Sequence, residues 1–397
     1  MRRARSIGYG FILLISFSAA APALAKQPID SGAPWNDVDG KAINAHGGGL
    51  LQKDGTYYWY GEIKSGLTEL PEFNASWGGT RVPFVGVSCY ASTDLAHWKY
   101  IGNVLPSDSA TVDLRADRVV ERPKVIFNAK TRQFVMWMHI DSADYKEAKV
   151  GVAVADSPQG PFHYAGAIRP DAHVFPDDMP DAMRRDFESA KRDNRLDAWV
   201  QRNPDWKVWA RDFDQGHMAR DMALFVDDDG AAYQFYASEE NAVLHASRLS
   251  DDYRSHAGKY RRITFDSREA PAPFKWNSRY YLVSSGCTGW MPNTTLIHSA
   301  TAILGEWTSH GSFFADDSAA AGVSYLSQST FVAALGNNKL LYMADRWNKN
   351  DLENSRYVWL PVEVSTGIPR VQWRQVWDIS VATGVEAPLS HPSSSRP

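Results

Sequence analysis

Five polar residues recur at one register of the chain, counted back from five turn residues. His46 lies eight residues before Asp54, Glu121 seven before Asn128, Asp221 seven before Asp228, Glu269 eight before Asn277 and Gln328 eight before Gly336. Ionisable groups are costly to bury without partners, and several that converge in a cleft mark a candidate active site. Two carboxyl groups in an aromatic-rich pocket suit cleavage of a glycosidic bond, where one acid protonates the leaving oxygen and a second group activates water or attacks carbon. The acid must keep its proton near neutral pH, which an apolar wall or a neighbouring carboxylate achieves by raising its pKa. Glu269, in REAP and followed by Ala270, Pro271 and Phe274, fits that acid, and Glu121, in VERPKV, fits the neighbour that tunes it. Arg122 and Arg220, each beside an acid, offset part of the charge. The alternative for such a ring is a structural network or a metal plug.

A shared register requires repeated elements. A strand, turn, strand pattern with an aromatic second strand occurs at 49–60, 125–138, 223–236, 272–283 and 331–343, each with the Gly, Asn or Asp chemistry of a hairpin turn. A second strand pair follows each one, at 86–102, 151–166, 243–258, 295–311 and 357–377. Five repeats of four strands predict an all-β fold, a five-bladed β-propeller whose first strands line a central channel. A pair of β-sandwiches or a β-helix would not repeat the same aromatic hairpin with the same follower. Between blades 2 and 3, residues 178–205 place Met183, Phe187 and Ala190 at helical spacing after Asp181 as N-cap. That spacing predicts a short amphipathic helix within an insertion over about 170–212. The loop from Ser65 to Pro83 is a second long excursion, and ordered loops on a rigid scaffold carry specificity.

Residues 1–25 hold Arg2, Arg3 and Arg5, an apolar run from Phe11 to Ala21, and Ala23-Leu24-Ala25, the three parts of a secretory signal. The apolar run is shorter than the roughly 20 residues of a membrane anchor. An exported protein, periplasmic or extracellular and free of the membrane after cleavage, is expected, with the propeller over 26–385 and a flexible tail at 386–397. Removing three arginines takes the formal charge from −4 to −7, which argues against nucleic acid, whose phosphates need a basic face. A monomer with no required cofactor is expected, and the residues leave a channel metal open. Cys89 and Cys287 lack metal-site spacing and are too few for a disulfide framework, so they read as two buried thiols. Asp227, Asp228 and Asp229 before Gly230 read as a turn, because one contiguous turn is an incomplete ligand set for a hard cation.

The stretches INAHGGGLLQKDGTYYWYGE, VERPKVIFN, FVMWMHID, ARDMALFVDDDG, REAPAPF, SSGCTGWMPN, SQSTFV and MADRWN with SRYVWLP run from Ile43 to Pro361 across all five blades. Through them the chain resembles glycoside hydrolase family 43, a five-bladed propeller family of inverting enzymes, and most closely its exo-β-1,3-galactanase branch. The resemblance implies Glu269 as general acid and Glu121 as the carboxylate that orients and tunes it. Most of the family supplies an Asp base from the first blade, where this chain has Asn44 and His46. The galactanase branch uses a Gln from the fifth blade, matched by Gln328, to position the attacking water, with an imidic acid tautomer as the working form.

His46, Glu62, Tyr145, Asp221, Thr288 and Asp345 fall in the matching motifs as ligands of sugar hydroxyls, with hairpin caps and interblade hydrogen bonds as their competing roles. Trp290 and Trp347 fall there as stacking faces for galactose or as core. The implied activity is inverting, exo-acting release of galactose from the β-1,3-linked chain of arabinogalactan-type glycans, so the partner is an oligo- or polysaccharide. An α-L-arabinofuranosidase or β-xylosidase is the alternative within the family, and a non-catalytic carbohydrate-binding propeller the alternative outside catalysis. The helical insertion departs from the branch, whose connection there is shorter, and no remaining stretch reads as a separate carbohydrate-binding domain.

Overall fold

The computed structural model describes residues 28–383 apart from 265, 337, 338, 365 and 366, and the signal read at 1–25 and the tail read at 386–397 lie outside the described residues. Each aromatic hairpin and its follower form one four-stranded antiparallel meander, and five such sheets make the five-bladed β-propeller expected from the repeat. The inner strands are His46–Lys53, Val119–Asn128, Met222–Val226, Arg268–Trp276 and Gln328–Ala334. Apolar side chains fill the wedges between neighbouring blades. The wedge between blades 5 and 1 is packed with Trp59, Trp98 and Trp359, and Ile29–Asp30 pairs antiparallel with Val376–Trp377 beside it.

Four inner strands carry a β-bulge, which bends the strand and re-aims its side chains; in blade 5 it follows Ser329, and in the other three it follows a register residue. Those three shifts follow His46, Glu121 and Glu269. The next residue in each case is left-handed: Gly47 at φ 61°, Arg122 at φ 55° and Ala270 at φ 50°. For a residue with a Cβ this conformation costs about 1–2 kcal/mol. Each bulged N–H is held by a carboxylate of the preceding blade around the ring. Gly47 donates to Asp345 at 2.7 Å, Arg122 to Glu62 at 3.0 Å and Ala270 to Asp221 at 3.1 Å.

The insertion between blades 2 and 3 holds three helices where the sequence predicts one: α1 (Asp181–Arg192), α2 (Leu196–Arg202) and α3 (Lys207–Asp212). Asp181 is not the N-cap. The extended Pro180 occupies that place and Asp181 is the first helical residue, where its carboxylate meets the positive end of the helix. Phe187 and Ala190 are buried and Met183 packs beside them, against Trp199, Trp209 and Phe213, so the apolar stripe belongs to a small core of the insertion's own. No helix among the described residues is long and apolar enough to cross a membrane. The acidic run is a turn, as expected: Gly230 donates to the Asp227 carbonyl at 2.9 Å, and the Asp227 carboxylate accepts from Lys275 of blade 4 at 2.6 Å.

The Gly47-Gly48-Gly49 run has a steric reason at its middle position. A Cβ on Gly48 would lie 1.7 Å from the Tyr60 carbonyl oxygen of the paired strand. Gly48→Ala is therefore expected to lower stability by about 1–3 kcal/mol or more, read as a lower urea midpoint, and an unchanged midpoint would contradict that close approach.

Candidate active site

The five register residues do not all reach the same space. Glu121, Asp221, Glu269 and Gln328 line a cavity of about 850 Å³, together with Glu62, Tyr145, Trp290 and Trp347. His46 does not reach it. Its ring is 1% exposed, stacks on Tyr357 at 4.8 Å and lies beneath Trp347 at 5.7 Å. Its Nδ1 is 3.0 Å from Asp345, itself buried and engaged with the Gly47 amide. Thr288 lies outside the cavity, its hydroxyl donating to the Met291 carbonyl at 2.5 Å. His46, Asp345 and Thr288 are thus corrected from sugar ligands to supports, since the first two are buried and held to each other and a local turn takes the third. Glu62 reaches the cavity while also holding the Arg122 amide.

Arg122 ties three blades together. Its Nε and Nη2 hold both oxygens of Asp221, at 3.0 and 2.8 Å. Nη2 also donates to Gln328 Oε1 at 2.6 Å and Nη1 to the Ser329 carbonyl at 3.2 Å. Gln328 Oε1 takes a second bond from Trp347 Nε1 at 2.8 Å, while its Nε2 donates to Glu269 Oε1 at 2.9 Å and Ser285 Oγ at 3.0 Å. Neither an arginine nor an indole can accept, so the chemistry fixes which end of the amide is oxygen. All four of its hydrogen-bonding positions are filled.

The two glutamates sit in opposite fields. Burial and the nearby Asp221 carboxylate push Glu269 up to about 8, against the smaller pull of Arg122. Burial works against the charge of Glu121 as well, but His139, Lys64 and Tyr145 outweigh it and bring that carboxyl down to about 2. The Tyr145 hydroxyl donates to Glu121 Oε1 at 2.9 Å, and His139 Nδ1 is 3.4 Å from Oε2. His139 is buried, yet Asp141 and Glu121 raise it to about 9. The carboxylate that tunes Glu269 is therefore Asp221 rather than Glu121, the second correction to the expected division of roles.

No protein-family model and no curated protein sequence matches the chain, but solved structures do. A GH43 β-1,3-galactosidase with galactodeoxynojirimycin is 38% identical, with a TM-score of 0.76 over 88% of this chain and 100% of that one. An exo-β-1,3-galactanase from Phanerochaete chrysosporium, a Glu-to-Gln variant with β-1,3-galactotriose, is 32% identical, with a TM-score of 0.71 over 91% and 70% of the two chains. An exo-β-1,3-galactanase from Clostridium thermocellum is 30% identical, with a TM-score of 0.69 over 89% and 68%. The chain belongs to glycoside hydrolase family 43.

In this family 43 hydrolase several wall residues carry no sequence signal of their own. Trp77, from the 65–83 loop, lines the cavity and meets Tyr145 edge-on at 5.3 Å, and behind the wall Lys64 bridges Glu62 at 2.5 Å and Glu121 at 3.7 Å. Cys89 is buried, but Cys287 is only partly so and faces the cavity; both are free thiols. Arg211 and Asp212 of α3 also line the cavity, so the insertion reaches the site. Among the described residues one group, Glu121, His139 and Asp221, has ligand atoms close enough for a metal, within 4.8 Å of one another. Each is already committed to a protein partner, His139 between two carboxylates and Asp221 to Arg122.

Linkage gives the raised Glu269 a measurable sign. Between its ordinary value of 4.5 and about 8, the folded hydrolase keeps a proton that the unfolded chain has released, so this group's contribution to stability falls as pH rises through that window. Glu269→Gln removes the titration. Its melting temperature relative to the wild type is expected to climb from pH 5 to pH 8, and a constant difference would remove the perturbed proton.

Proposed function

We propose that this hydrolase is an inverting, exo-acting β-1,3-galactanase that releases galactose from galactan or arabinogalactan-type chains. The observation that carries the reading is Glu269, a cavity carboxyl whose proton is held up to about 8 by burial and Asp221. Its substrate class rests on relatives at 30–38% identity named as β-1,3-galactosidases or exo-β-1,3-galactanases. Glu269 gives its proton to the glycosidic oxygen, and the ionised Glu121 holds Tyr145 and binds sugar hydroxyls beside it. Trp290 and Trp347, whose rings meet at 67° and 4.9 Å, offer apolar faces to the ring of the sugar. The enzyme works outside the cytoplasm, a reading supported by the Arg-rich start and apolar run of residues 1–25.

Gln328 positions the attacking water. Its 2.9 Å contact with Glu269 is far shorter than the roughly 6.5–9.5 Å across which an inverting pair acts. Substrate therefore parts the two, and the freed Nε2 side of the amide meets the water. The two donors on Oε1 oppose a proton there, so the resting amide is not the imidic acid tautomer, and any tautomer forms only with one of the donors, Arg122 or Trp347, displaced.

Incubation with β-1,3-galactooligosaccharide, aryl arabinofuranoside and aryl xyloside tests the substrate, with galactose release from the first alone expected. Proton NMR of that digest should show the α-anomer first, and a β-anomer appearing first would refute inversion. Glu269→Gln should lose about 10²–10⁴ in kcat, as should Gln328→Ala, and full turnover in either would dismiss its role. Because the protonated acid is required, kcat should decline as pH rises through about 8.

A further inference from the structure

We propose that the wall contributed by the helical insertion is a second sugar-binding subsite, which holds the neutral oligosaccharide on the leaving side of the scissile bond. This inference rests on the reading of Glu269 as the acid. A general acid stands beside the oxygen it protonates, so the departing chain must leave past whatever adjoins Glu269. The adjoining wall is continuous. Glu269 and Cys287 line the cavity together, and the Cys287 thiol donates to the Asn241 carbonyl at 3.5 Å. The Asn241 side chain accepts from Arg220 at 3.3 Å, and Arg220 is 3.5 Å from Glu240. Glu240 in turn accepts from Arg211 of α3 at 2.7 Å, and Arg211 holds both oxygens of Asp212, at 2.7 and 3.0 Å. All of these residues line the same cavity as the acid.

The wall's chemistry selects its ligand. Arginines and acids alternate along it, with Arg169 also 3.8 Å from Asp212, so donors and acceptors stand side by side. Sugar hydroxyls, which both donate and accept, match such alternation. Arg211 and Glu240 are each half-exposed and so present free edges to the cavity, while the buried Asp212 fixes the guanidinium in place. Trp290, Trp347 and Glu121, which line the cavity apart from this chain of contacts, serve the galactose being released.

Calorimetric titration in a Glu269→Gln background separates the two halves, with galactodeoxynojirimycin as the probe of the inner half and β-1,3-galactotriose as the probe of both. Adding Arg211→Ala, or independently Glu240→Gln, should weaken galactotriose about tenfold, the loss of one or two charge-assisted hydrogen bonds, while the iminosugar Kd stays within about twofold and reports an intact fold. Galactotriose binding that is unchanged in both variants, or that weakens only in step with the iminosugar, overturns the subsite. If the Glu269→Gln protein binds neither ligand, the galactanase reading itself fails and this inference goes with it.

Discussion

A carboxylate from one blade gripping a left-handed amide of the next is the interaction on which the site depends. It occurs three times around the ring, Asp345 on Gly47, Glu62 on Arg122 and Asp221 on Ala270. A hydrogen bond to a charged group contributes about 1.5–3 kcal/mol, enough to offset the cost of a left-handed residue with a Cβ, about 1–2 kcal/mol. Without the grip the bulges relax, and Glu121 and Glu269, each one residue before a bulge, turn away from the cavity. It also explains how so many acids are tolerated near one axis: several are structural acceptors with fixed donors.

The same arrangement divides the carboxyl groups by function. Glu121 faces His139, Lys64 and Tyr145 and stays charged, whereas Glu269 faces Asp221 and an amide and keeps its proton. Arg122 underlies this asymmetry. By spending its fork on Asp221, it locks the carboxylate whose charge raises Glu269, and a further bond orients Gln328. One bulged arginine thus holds in place the carboxylate that keeps the proton on one group, and sets the direction of another.

The blades were legible because period-two alternation and turn residues are local, and the register count brought Glu121, Asp221, Glu269 and Gln328 to one cavity for the same reason. Bulges were not, since nothing local marks Arg122 or Ala270 as left-handed; the donor-acceptor match that holds them comes from another blade. His46 shares the register yet lies buried beside Trp347, held to Asp345, a placement that depends on tertiary packing. The insertion showed its apolar spacing at Phe187 and Ala190, but its second and third helices are too short for periodicity, and the approach of Arg211 to the cavity belongs to docking alone. Asp221 as the tuner of Glu269 required knowing that blade 3 stands next to blade 4 with the acid between them.

Ile29–Asp30 and Val376–Trp377 pair side by side at the last wedge, so the ring is joined by a latch of backbone hydrogen bonds and not by strand exchange within a blade. Neighbouring ends of this kind allow a chain to be rejoined and reopened elsewhere. Because Glu121, Asp221, Glu269 and Gln328 stand on or just before the inner strands of four separate blades, a circularly permuted chain cut between any two blades carries the same carboxyl groups into the same space. The order of the blades along the sequence is, for this site, an accident of where the ring was left open.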